Sequence, residues 1–187
     1  MSEKIIDKNL SRIIKIKMCT SDINDIEDIE DISIQDINLM QNKLNIDLKE
    51  IVKLKKLKSV SLKFFEITDE IVQAINQLQY LETIEFSMCI FKNKEALSKK
   101  LKSIAILNCQ DFSAISVPSI ATLEYLERLY LNHIEIPYYI NISKMSNLKF
   151  ISLSGSNVQN KEMYIKKLYD QNKELIVEFE ENDKPIE

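Results

Sequence analysis

Residues 126–136 read LERLYLNHIEI. Leu126, Leu129, Leu131, Ile134 and Ile136 are apolar, and most of the residues between them are polar. Leu129 and Leu131 alternate with Arg128, Tyr130 and Asn132, the period of a strand with one buried face. The same spacing recurs in Leu57-x-x-Val60-x-Leu62, Leu81-x-x-Ile84-x-Phe86, Leu101-x-x-Ile104-x-Ile106 and Leu148-x-x-Ile151-x-Leu153. The copies start at residues 57, 81, 101, 126 and 148, at intervals of 24, 20, 25 and 22 residues. Such an interval holds one strand and one return.

The pattern extends at both ends. Ile29, Ile32, Ile34, Ile37 and Leu39 form a good upstream copy. Further up, Ile14, Ile16 and Cys19 fall on positions 4, 6 and 9 of a first strand, counting each copy from its first apolar residue. A last strand starting at Glu174 puts Val177 and Phe179 on positions 4 and 6. Eight short strands are predicted, with positions 1, 4, 6, 9 and 11 in the core. Position 9 is Phe65, Cys89, Cys109, Ile134 and Ser156, and position 11 is Ile67, Phe91, Asp111, Ile136 and Val158. Asp111 breaks the rule, and Phe112 is expected to take its slot. The returns read as helical. Thr68, Asp69 and Glu70 offer a cap and early acids ahead of Ile71, Ala74, Ile75 and Leu78 on one helical face. Residues 47–56 and 160–172 look alike, and 92–100 is a shorter case. Pro118 predicts a broken or delayed helix within 113–125, and Pro137 a turn.

Five close copies and three looser ones, over about residues 11–180, resemble the leucine-rich repeat family. Ile and Val often replace Leu here, and position 9, usually Asn or Cys in that family, carries no Asn; the cysteines fall there or at its equivalent, as small, buried, weakly polar side chains. The resemblance implies an α/β solenoid, with short parallel β-strands on the concave face and helices or irregular returns on the convex face. It implies protein binding as the usual role. The whole chain, 1–187, is read as one such domain ending in an acidic tail, 180–187. One repeat cannot bury its apolar face alone, whereas stacked neighbours bury it jointly.

Composition narrows the function classes. With 45% hydrophobic and 29% charged residues the chain is globular rather than disordered. A single glycine, Gly155, is too few for phosphate-cradling loops. A net charge of −4 speaks against nucleic acid as a partner. The start, MSEKIIDKNL, lacks the apolar run of a signal peptide. No apolar run is long enough to span a membrane. A cytoplasmic protein without membrane contact is expected. Cys19, Cys89 and Cys109 form no CxxC pair, so all three are taken as structural and reduced. With one histidine, a zinc site lacks ligands. No metal and no cofactor are expected.

The outward sheet face is built from positions 2, 3, 5, 7 and 8. Phe64, Met88, Leu107, Tyr130, His133 and Phe150 fall there, joined by Arg128. Aromatic and Met side chains with an Arg are what a protein-binding hot spot needs. Isolated exposed apolar residues are also ordinary on any surface. His133 has no nucleophile or acid partner in sequence, so a surface histidine is the plainer reading. Residues 22–31 (DINDIEDIED) carry acids but no glycine for a calcium loop. Lys53, Lys55, Lys56, Lys58 and Lys63, echoed by Lys99, Lys100 and Lys102, read as solvated faces that would steer a charged partner. Two glycosylation sequons, at Asn9 and Asn141, carry no weight without a secretory signal. The expected function is a non-catalytic, monomeric module that binds a protein or peptide on its concave sheet. The alternatives are a self-assembling scaffold, or the recognition arm of a larger enzyme or effector.

Overall fold

The computed structural model describes residues 29–35, 48–98, 100–111, 120, 122–136 and 140–179. Seven of the eight predicted strands lie there: β1 (Asp31–Gln35), β2 (Ser59–Lys63), β4 (Thr83–Ser87), β6 (Ser103–Leu107), β7 (Arg128–Asn132), β9 (Phe150–Ser152) and β11 (Ile176–Glu178). The proposed strand at Ile14–Cys19 falls outside the described residues. All seven pair in parallel in the order β1-β2-β4-β6-β7-β9-β11. The register never slips: Asp31, Ser59, Thr83, Ser103, Arg128, Phe150 and Ile176 stand side by side in one row. The fold is therefore an α/β leucine-rich-repeat solenoid, with strands along one side and returns along the other. At about 4.8 Å per strand the sheet spans roughly 30 Å.

Burial follows the repeat. Positions 4 and 6 of the first six strands, from Ile32 and Ile34 to Ile151 and Leu153, are 2% exposed or less. Position 9 is buried in all five close copies: Phe65, Cys89, Cys109, Ile134 and Ser156. Position 11 is buried at Ile67, Phe91 and Ile136, half-buried at Val158, and exposed at Asp111. Phe112 lies outside the described residues. Two narrow parallel ribbons follow the main strands: β3 (Glu66–Ile67) with β5 (Ile90–Phe91), and β8 (Glu135–Ile136) with β10 (Asn157–Val158). The last repeat departs from the pattern: Glu174 is exposed, and Leu175 fills the core in its place. Phe179 is half-buried, with the Lys161 ammonium 3.8 Å from its ring centre.

Position 9 carries a polar ladder without Asn. The Cys89 thiol donates to the Leu62 carbonyl at 3.4 Å, and Cys109 to the Phe86 carbonyl at 3.5 Å. The Ser156 hydroxyl donates to the Leu131 carbonyl at 2.6 Å. In return the Cys89 N–H donates to the Cys109 sulfur and the Ile134 N–H to the Ser156 oxygen, at 3.3 and 3.0 Å. Cys and Ser thus stitch consecutive coils together. A buried backbone group left unpaired there would cost about 1–3 kcal/mol.

The returns were only partly foreseen. α1 (Asp69–Asn76) and α2 (Lys161–Gln171) are the predicted helices. Leu48–Lys53 is a 3-10 helix instead. Its buried Ile51 and the following Leu54 and Leu57 recur every third residue, which suits three residues per turn. Residues 92–98 form no helix. Their backbone groups are claimed by side chains: the Asp69 carboxylate takes the N–H groups of Lys94 and Glu95, and the Asn76 amide donates to the Ala96 carbonyl. Thr68 precedes α1 in extended conformation but makes no side-chain cap bond. The predicted breaks at Pro118 and Pro137 lie outside the described residues.

Candidate functional site

Alternation on each strand turns positions 3, 5 and 7 outward, where they are exposed or half-buried in all but one of the central cases. The exception is Ser152, expected outside but fully buried. Its hydroxyl donates to Asn132 Oδ1 at 2.9 Å and meets the Ser154 hydroxyl at 3.3 Å. On the neighbouring strands Ser61 donates to the Glu85 carboxylate at 3.0 Å. Such bonds rigidify the floor of the face.

The seven residues singled out from the sequence fall in two groups. Arg128 is exposed, and Tyr130, Phe150 and Leu107 are half-buried. Phe150 stands beside Arg128 in register. The rings of Tyr130 and Phe150 meet with centroids 5.2 Å apart at 45°. A ring pair of this kind adds about 0.5–1.5 kcal/mol beyond its buried area. Leu107 lies diagonally across from Tyr130, because it pairs with Asn132. The second group is Phe64, Met88 and His133. They occupy position 8, just past the strand ends, with Phe64 and Met88 on consecutive coils. The Lys63 ammonium sits 5.2 Å from the Phe64 ring centre. The coil that carries Phe64 lies three strand spacings, about 14 Å across the sheet, from the strand that carries Tyr130.

Two features of this face went unread in the sequence. The first is Ile176, 63% exposed, which extends the Arg128–Phe150 row by one strand. It sits at position 3 of the last strand, whose positions 4 and 6 alone had been considered. The second is backbone conformation. Phe64, Met88, Asn108, His133 and Gly155, position 8 of five successive repeats, all have φ between 51° and 66°. Glycine and Asn accept the left-handed region readily, but for Phe, Met and His it costs about 1–2 kcal/mol each. The chain therefore holds three bulky side chains at the rim of the sheet against local strain.

Charge is arranged along the adjoining edge. At position 2, Glu30, Lys58, Glu82, Lys102, Glu127 and Lys149 alternate. They pair as Lys58–Glu30 at 2.8 Å, Lys102–Glu82 at 2.8 Å and Lys149–Glu127 at 3.8 Å. The hydrogen bond that Lys102 donates to the Glu82 carboxylate raises the pKa of its ammonium above the ordinary lysine value. These pairs are well solvated and contribute little stability.

His133 is exposed and makes no ion pair among the described residues. No group of three His, Cys, Asp or Glu side chains that could hold a metal occurs among the described residues. Cys89 and Cys109 are buried free thiols. The hydrogen bond Cys109 shares with Cys89, together with burial, pushes its thiol up, so it stays protonated and unreactive. An open hollow of about 470 Å³, lined by Glu124, Tyr125, Lys144, Ser146 and Asn147, lies on the turns that precede β7 and β9, away from the outward face. No helix among the described residues is long and apolar enough to cross a membrane.

No protein-family model matches the chain, and no curated protein does either. Among solved structures it is similar to internalin C2 of Listeria monocytogenes, with 16% identity, 93% of each chain covered and a TM-score of 0.45.

Proposed function

We propose that the chain is a non-catalytic, monomeric interaction module, a single repeat domain that docks a protein or peptide on the outward face of its parallel sheet. One observation carries this reading. A rigid, register-locked sheet presents Tyr130, Phe150, Leu107 and Ile176 together beside Arg128, and Phe64, Met88 and His133 keep strained backbone along the rim. Strain retained at several equivalent positions points to a use for the side chains. Aromatic and Arg anchors on a preorganised surface favour tight association, since little freedom is lost on binding. The net charge of −4 and the acids Glu85 and Glu178 on the face favour a protein over nucleic acid. Free buried thiols suit a reducing compartment, hence the cytoplasm.

The test is affinity capture from native lysate with the wild-type chain and with a Tyr130→Glu/Phe150→Glu variant. Both residues are only half-buried, so circular dichroism should show the variant folded. Captured partners should be lost from it. Equal capture by both proteins would eliminate this face as the docking surface.

A further inference from the structure

We infer that the partner segment held by this face carries a carboxylate that seats on Arg128, next to an apolar side chain covering Tyr130, Phe150 and Ile176. The inference rests on the sheet-face reading and specifies its partner.

Arg128 differs from the cations around it. Lys58, Lys102 and Lys149, one row away, each have a glutamate within 3.8 Å. Lys92 is likewise paired with Glu66 at 2.9 Å. Arg128 has no ion pair among the described residues, although it is exposed on the same edge. Its neighbours in register are Ser103 and Phe150, and Tyr130 is next on its own strand face. None of these carries charge, and Glu127, the acid next to it in the adjoining row, is paired with Lys149 at 3.8 Å rather than with Arg128. It is left charged, planar and available.

A partner that covers the aromatic pair must also cover Arg128, which shares its row with Phe150. Covering strips water from the guanidinium. If the partner brings no anion, a charge is buried unpaired, at a penalty that outweighs much of the apolar gain. If it brings a carboxylate, the fork of N–H donors can take it bidentately, in a setting of lowered dielectric that strengthens the pair. The arrangement thus selects against neutral partners as much as it favours acidic ones. Glu85 and Glu178, on the same face, repel a run of phosphates, which makes a single acidic side chain the better fit than a nucleic-acid backbone.

A random-peptide display selection on the full wild-type chain tests this directly. Enriched sequences should place an Asp or Glu within a few residues of a Leu, Ile, Phe or Trp. A synthetic enriched peptide should bind Arg128→Gln at least about tenfold more weakly than wild type. Arg128→Glu should turn the selection toward Lys- and Arg-bearing peptides. Arg128 is exposed, so both variants should fold normally. Enriched peptides that lack acids, or that bind Arg128→Gln as well as wild type, overturn the inference. If those same peptides are lost on Tyr130→Glu/Phe150→Glu, the sheet-face reading survives it. Peptides that persist on the double variant overturn both, as does the absence of any enrichment. Binding of a polythymidine oligonucleotide that is lost in Arg128→Gln would also overturn it.

Discussion

Replacing Ser156 with alanine isolates one rung of the inter-coil ladder. The hydroxyl donates to the Leu131 carbonyl at 2.6 Å and accepts the Ile134 N–H at 3.0 Å, and the residue is buried. Ser156→Ala leaves a backbone donor and a backbone acceptor without this partner, in a site where little water enters. An orphaned buried donor costs about 1–3 kcal/mol, and the lost bond at the carbonyl about 1 kcal/mol, so a total near 2–4 kcal/mol is expected. That is a sizeable part of the roughly 5–15 kcal/mol that holds a domain together. The melting temperature should drop by roughly 5–15 °C. Ser156→Cys is the control, because Cys89 and Cys109 make the equivalent bonds at 3.4 and 3.5 Å. It should keep most of the stability. Urea unfolding followed by circular dichroism measures the loss, and amide exchange at Ile134 locates it. A loss below about 1 kcal/mol, or unchanged protection at Ile134, would refute the reasoning.

Met88→Gly should stabilise the fold by about 0.5 kcal/mol, because relief of left-handed strain exceeds the added flexibility of the unfolded chain; thermal melting measures it. Phe86→Ala, which empties a fully buried site packed edge-on against Phe91 at 5.1 Å, should cost about 3–5 kcal/mol in urea unfolding. Asp69 is held below the usual carboxylate value by the N–H groups of Glu95 and Lys94. Its contribution is therefore fully present above about pH 4 and fades as the pH falls further. The stability gap between wild type and Asp69→Ala should be constant near neutrality and close in acid, as read from unfolding curves across pH. In the native chain Cys89 and Cys109 should resist alkylation by iodoacetamide and become labelled once urea unfolds it, with peptide mapping as the readout.

Much of the architecture was legible because each coil repeats one physical demand: two inward residues on a strand and three more to close the return. Val60 with Leu62 and Leu129 with Leu131 state that demand plainly. The ladder was partly legible. Cys89 and Cys109 stand where the family places Asn or Cys, and Ser156 joins them because the geometry needs only a short side chain that can donate and accept. Helical period over-read the returns at 48–53 and 92–98. At the first, spacing by threes was the truer signal. At the second, Asp69 and Asn76 reach across from the previous coil, a contact invisible in local sequence. Of the seven residues assigned to the face, Arg128, Tyr130, Phe150 and Leu107 come together, while Phe64, Met88 and His133 lie along a strained rim. That strain had one clue, Gly155 in line with Asn108. The alternating Glu and Lys at position 2 emerge only once register aligns the coils.

The unslipped register has a metrical consequence. Strands lie about 4.8 Å apart, whereas a chain in polyproline II conformation advances about 3.1 Å per residue and turns once every three residues. A ligand backbone laid across the strands therefore falls out of step with them, and returns to step after about three residues and two strands. The surface acts as a vernier. Side chains at every third place of such a ligand point the same way and would meet alternate columns, so Arg128 on β7 and Ile176 on β11, two columns apart, would be sampled by residues i and i+3 of one polyproline II guest segment.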